Sequence, residues 1–222
     1  MFIGHFGAAF AAKKIVPTVS LATLIFSAQW LDLLWPSLLL MNVEKVVIDP
    51  GNTTVTPLDF THYPWSHSLL LVFGWALLAG VLHYLIIRKR RAALVVALLV
   101  LSHWVLDLVM HRPDLPLYPG QSPLLGFGLW NSLLITLVLE TVLFITGLFF
   151  YMQVTTPKTK RGTYGLWTLV ILLYGIYLLN LFGPAPPDVL SIAWAGHLQW
   201  LFVALGYWVD RNRRVFRGAR AK

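Results

Sequence analysis

The twenty residues Ser68–Ile87, SLLLVFGWALLAGVLHYLII, contain no Asp, Glu, Lys or Arg. About 20 largely apolar residues are what a helix needs to cross the hydrocarbon of a bilayer. Five further segments read the same way: Val16–Met41, Ala92–Met110, Leu124–Met152, Tyr164–Phe182 and Val189–Val209. The breaks between them are charged or rich in Pro and Gly, as in RKRR at 88–91, HRPDLPLYPGQSP at 111–123, TPKTKR at 156–161 and GPAPPD at 183–188. A seventh segment, Phe2–Ala12, is apolar but too short to span. Only 12% of the chain is charged, about half the share of a soluble domain. The expected fold is therefore all-α: one integral membrane domain over 1–222, with about six spanning helices and a short N-terminal half-helix. Residues 1–115 carry the chemistry, 116–210 form supporting helices and 211–222 form a basic tail.

Orientation follows from the basic residues, which favour the cytoplasmic side. Fifteen of the 17 Lys and Arg fall on one side, leaving only Lys45 and Arg112 on the other. Both termini are expected inside, in the cytoplasmic (inner) membrane of a bacterium. The tail RNRRVFRGARAK then reads as a topology anchor near anionic lipid. Located this way, the net charge of +8 gives no reason to expect a nucleic-acid partner. Lys13-Lys14 followed by an apolar run and FSAQ loosely resembles a secretory signal. The basic pair comes late and an apolar segment precedes it, so no cleaved segment is expected. The absence of Cys excludes disulfides and thiolate metal sites. The outer segment 42–67, with three Pro and a Gly, reads as an ordered loop over the bundle's outer mouth.

Ionisable side chains inside spanning helices cost a few kcal/mol each and are functional candidates by default. Here they are Asp32, His67, His103, Asp107, Glu140 and His197, with His5 on the short first segment and His83 at an interface. At about 1.5 Å per helical residue, His103 lies about 18 Å above Arg91, Asp107 about 24 Å and His111 about 30 Å; Asp32 lies about 27 Å above Lys14 and His67 about 32 Å above Arg88. Three segments thus bring His and Asp to one outer layer. His103, Asp107 and His111 recur every four residues, on one helix face. Imidazole nitrogen and carboxylate oxygen suit Zn²⁺ or another divalent ion, Mn²⁺ or Mg²⁺ included. His5, about 12 Å above Lys13, reaches this layer only if its helix tilts or if Lys13 and Lys14 snorkel.

Structural readings stand beside these. His103 and Asp107 can be a hydrogen-bonded pair, Asp32 an interfacial carboxylate beside Trp30 and Trp35, and Ser66 an N-cap ahead of His67. His111, His62, Asp59 and Asp114 lie in or beside a loop where solvation is the plain reading. Glu140 continues a stripe with Ser132 and Thr136 toward the bundle interior. His197, between Trp194 and Trp200, reads as a packing residue.

At this point GHFGAAFA, AQWLDLLWP, YPWSHSLL and SHWVLD resemble the bacterial membrane-bound metal-dependent hydrolases of the YdjM type. The resemblance covers residues 1–115. It implies His5, Asp32, His67, His103 and Asp107 as metal ligands, in an order similar to zinc-dependent phospholipase C. WLDL keeps one of the family's two aspartates, and no HxxxE follows the HxxxD, which favours one or two ions over three. The function expected is hydrolysis of a phosphoester, with a small-molecule or lipid substrate reached among membrane lipids. Asp32 or Asp107 would act as base, His111 or His62 as proton donor near the substrate, and Arg112 as a phosphate clamp. An ion-coupled transporter and a non-catalytic scaffold with a structural His/Asp cluster are the alternatives.

Overall fold

The computed structural model describes residues 1–216. It is an all-α bundle. Five helices are long and apolar enough to cross a membrane: α5 (Leu69–Ile87), α6 (Arg90–Met110), α7 (Leu133–Val154), α8 (Lys160–Phe182) and the α9–α10 rod (Val189–His197, Gln199–Arg211). A sixth forms if α2 (Leu21–Ala28) and α3 (Trp30–Leu40) count as one span bent by 56°. The outer faces of these helices carry exposed Phe73, Leu77, Ile86, Leu134, Ile171 and Leu179. That much exposed apolar surface fits lipid as the solvent of a multi-pass membrane protein.

The short first segment is a thirteen-residue helix, α1 (Ile3–Ile15), buried on nearly every side. An element that is apolar all round belongs in a core, and α1 packs most extensively against α7. Gly7 and Gly147 let their backbones approach: a Cβ on Gly7 would lie 2.6 Å from the Leu143 carbonyl oxygen, and one on Gly147 would strike Gly7. Glu140 on α7 completes the junction. Its Oε2 accepts the backbone N–H groups of Phe2 (2.9 Å) and Gly4 (3.2 Å), placing an anion at the positive end of α1.

Two boundaries differ from the sequence reading. The first span is not one rod but two helices meeting at Gln29, with Ser20 capping α2 through the Thr23 N–H. The fourth begins at Leu133 rather than Leu124, because 124–131 form a short strand, a Gly128 left-handed turn (φ 74°) and a 3-10 turn at Leu129–Asn131. Phe127 and Gly128 there donate to the carbonyls of Leu108 and His111, folding the apolar residues back onto the end of α6. The loop 42–67 is ordered, as expected, around an antiparallel hairpin of β1 (Lys45–Ile48) and β2 (Leu58–His62), followed by the one-turn helix α4 (Pro64–His67). Beyond it, β3 (Leu115–Pro116) pairs with β4 (Leu124–Leu125).

At the opposite, basic end, β5 (Thr155–Pro157) pairs with β6 (Arg213–Val215). The start of the expected basic tail is thus a bonded strand, with Arg213 buried beneath it. Residues 217–222, the rest of that tail, lie outside the described residues.

Candidate metal centre

The HxxxD spacing on α6 does what its period requires. His103 Nε2 lies 3.1 Å from Asp107 Oδ2, and both side chains are buried. The bend between α2 and α3 then serves His103. The last carbonyls of a helix have no partner within it. That of Ala28, the final residue of α2, is 2.7 Å from His103 Nδ1. A carbonyl only accepts, so Nδ1 carries the hydrogen, and Nε2 is the nitrogen that would present a lone pair whenever the ring is neutral. One turn beyond the bend, α3 places Asp32 Oδ1 at 3.6 Å from the same Nε2.

His67, at the end of α4, is oriented by a relay. Its Nδ1 donates to Ser66 Oγ (2.6 Å), which donates to Glu44 Oε2 (2.6 Å); Glu44 Oε1 also accepts the Ser66 backbone N–H (2.8 Å). The free His67 Nε2 then stands 3.7 Å from Asp32 Oδ1 and 3.8 Å from Asp107 Oδ2. From the other side, α1 brings His5 Nε2 to 3.1 Å from Asp107 Oδ1 and stacks its ring on His103, centroids 3.6 Å apart at 5°. The Met1 amino group lies 2.6 Å from that same oxygen.

Asp107 Oδ1 is hydrogen-bonded to Met1 and His5, and the spacing of the group is also one that could hold a metal ion. Tetrahedral coordination with metal–ligand bonds of about 2.0–2.1 Å sets ligand atoms about 3.3 Å apart. The contacts of His67 and His103 with the two aspartates run from 3.1 to 3.8 Å. His103 Nε2 is buried with no hydrogen-bond partner, although Asp107 is 3.1 Å away, so the contact is close but off the bonding direction. Two triads of donor atoms, His5–His103–Asp107 and Asp32–His67–His103, each lie within 4.8 Å. A second layer that holds the outer nitrogen of each imidazole is the usual support of a ligating histidine. His103 and His67 have that support. His5 Nδ1 is buried without a partner.

The remaining candidates fall around this centre. His111 is buried rather than solvated. Its Nδ1 donates to Asp114 Oδ1 (2.8 Å), which also accepts the Tyr63 hydroxyl (2.8 Å). Burial holds the His111 imidazole below its usual range, against the opposing pull of Asp114, and burial beside Asp114 pushes the Tyr63 phenol well up. A neutral His111 whose one N–H is committed to Asp114 is a poor proton donor, contrary to the role expected for it. Tyr63 links the two clusters, its ring 5.1 Å from His67 and 6.2 Å from His111. Arg112 is ion-paired with Asp59 and lies 3.6 Å from Asp114 Oδ2, so its charge is answered within the protein. His62 is exposed on β2, outside the donor triads. Glu140 is occupied as the cap of α1, and His197 bonds Ser37 and its own helix.

Sequence reasoning missed Glu44, which had no helical period to mark it, and offered Ser66 only as an N-cap, in the structural alternative for His67. Ser66 instead links His67 to Glu44. No protein-family model, curated protein or solved structure matches the chain.

Proposed function

We propose that the protein is a membrane-embedded, metal-dependent hydrolase acting on a phosphoester. The observation that carries this reading is the convergence of three imidazole nitrogens and two carboxylates, at coordination spacing, with the outer nitrogens of His67 and His103 held by acceptors. His5, Asp32, His67, His103 and Asp107 would hold the ion. Three nitrogens beside two oxygens favour Zn²⁺, with Mn²⁺ and Mg²⁺ as alternatives. A bound divalent ion supplies Lewis acidity toward a phosphoryl oxygen and makes a water molecule acidic enough to attack near neutral pH.

The residues divide the work by exposure. Asp107 is 2% exposed and touches every histidine of the group, as a ligand should. Asp32 is 22% exposed. It is the ligand that faces outward, and the base placed to take a proton from an incoming water. A lipid or lipid-linked substrate would suit a site at headgroup depth, opening to the outer face of a bacterial cytoplasmic membrane; the N-terminus, expected inside, is instead buried at this cluster, its nitrogen 2.6 Å from Asp107 Oδ1. The resemblance of residues 1–115 to membrane-bound metal-dependent hydrolases points the same way.

A transporter would need polar groups leading through the basic half of the bundle. One buried pair does occur there, Lys13 with Asp210. Between it and His5 on α1 stand Phe6, Ala9 and Phe10, all fully buried in an apolar cluster, which favours a closed core.

Elemental analysis of the purified protein tests the reading. About one or two divalent ions per chain are expected in the wild type and loss of most of them in His103→Ala, together with loss of hydrolysis of a phosphatidate-type lipid. A correctly folded wild type that holds no stoichiometric metal and takes up none would overturn it.

A further inference from the structure

The basic end holds a second polar site, remote from the metal cluster. A cavity of about 310 Å³ there is lined by Lys13, Thr18, Lys158, Asp210, Arg213 and Arg214, with Pro17 and Val215. Three distant stretches of chain build it: the end of α1 with the turn after it, Lys158 just past β5, and the end of α10 with β6. The β5–β6 pairing, Thr156 opposite Arg214 and Pro157 opposite Arg213, is what brings the last two together.

The charges of this cavity do not balance. Four cations face one carboxylate. Asp210 is engaged by Lys13, whose Nζ is 2.8 Å from both its oxygens, and it also accepts the Leu21 N–H. Arg213 is buried, yet its bonds go to neutral acceptors, Thr155 Oγ1, the Thr155 carbonyl and the Gly162 carbonyl. Lys158 Nζ bonds the Arg211 carbonyl. Among the described residues no salt bridge to Arg213, Lys158 or Arg214 is found; Arg213 lies over the Tyr151 ring and the only carboxylate it feels is Asp210, which Lys13 already holds, and the sequence 217–222 contains no Asp or Glu. Uncompensated charge at a partly desolvated site calls for a counter-ion. A planar guanidinium beside ammonium groups suits phosphate oxygens.

We infer that this cavity binds a phosphate group, with Lys13 and Arg213 forming its floor and the exposed Lys158 and Arg214 its rim. The phosphate can belong to an anionic phospholipid headgroup or to a free inorganic anion, and the chemistry of recognition is the same for both.

The test uses the purified full chain in a zwitterionic detergent, with the double variant Lys158→Gln/Arg214→Gln. Both side chains are exposed, so the variant should fold; its thermal unfolding is checked first. Binding of short-chain phosphatidylglycerol and of inorganic phosphate is titrated separately at matched ionic strength, with phosphatidylcholine and chloride as controls. Saturable binding of either anion, weaker by about tenfold or more in the double variant, supports the site, and the arm that saturates names the source. Should neither anion bind above its control, or should wild type and variant bind alike, the inference fails. A single-residue variant, Arg214→Glu, serves if the double variant unfolds: weaker binding than wild type supports the site, and equal binding overturns it.

Discussion

Glu44 is not among the donor atoms of the proposed metal cluster, yet it sets which nitrogen His67 offers. The Ser66 hydroxyl hands its hydrogen to Glu44 and so can only accept from His67 Nδ1. Glu44→Gln replaces one acceptor oxygen by an NH₂ donor and loosens the relay without opening a cavity. Metal affinity, measured by competition with a chelator, should fall about 10- to 100-fold, while the unfolding temperature of the metal-free protein changes little. Equal affinity in the two proteins would show that the relay does not tune the site. This residue was invisible from the sequence because nothing in a loop marks a carboxylate as the support of a distant imidazole. His103 and Asp107 were legible because a helix fixes the geometry of residues four apart. His5 was ambiguous for a particular reason. Depth was counted from Lys13 as though it marked the membrane boundary. Lys13 is buried inside the bundle on Asp210 and the Val19 carbonyl, so α1 sits deeper than its basic end suggests.

That same pair matters at the scale of elements, since it fastens the end of α1 to α10. Removing one partner of a buried ion pair typically costs about 3–5 kcal/mol, and the partial exposure of Asp210, 19%, argues for the lower part of that range. Lys13→Met should therefore lower the unfolding temperature in detergent clearly. Lys13→Met/Asp210→Leu, which removes both charges, should recover most of the loss. If the single variant is as stable as the wild type, the pair is ornamental. The bend at Gln29 is the other element-scale device. Pro36 was visible in the sequence, but it removes the N–H that would reach the Asp32 carbonyl, a turn past the bend. The position of the break, and the use of the Ala28 carbonyl by His103, depend on α6 being alongside. No local signal encodes that.

For the whole molecule, the hydropathy pattern specified an all-α bundle of about six spans because lipid demands long helices, and five are found, or six if the bent pair counts as one. It missed the three small two-stranded sheets because their strands are only two to five residues long, too short to show a period, and one of them, β5–β6, pairs across distant chain. Orientation can be read without disturbing the core, since the chain has no Cys and any introduced thiol is unique. A membrane-impermeant maleimide should label His62→Cys in intact cells and Lys158→Cys only after permeabilisation. The reverse pattern would turn the protein over and place the His/Asp cluster on the cytoplasmic side.

The close seating of α1 against α7 also has a consequence in time. His5 is held in place by an element whose cap, Glu140, is made about 130 residues later. At about 5–20 residues per second, that leaves a gap of roughly ten seconds during synthesis. Through that interval the first helix has neither its glycine partner nor the acceptor for its leading N–H groups. The proposed ligand set would close only when the second half of the chain arrives, so the nascent protein carries an incomplete His/Asp cluster, and a chain truncated before α7 should be unable to assemble it.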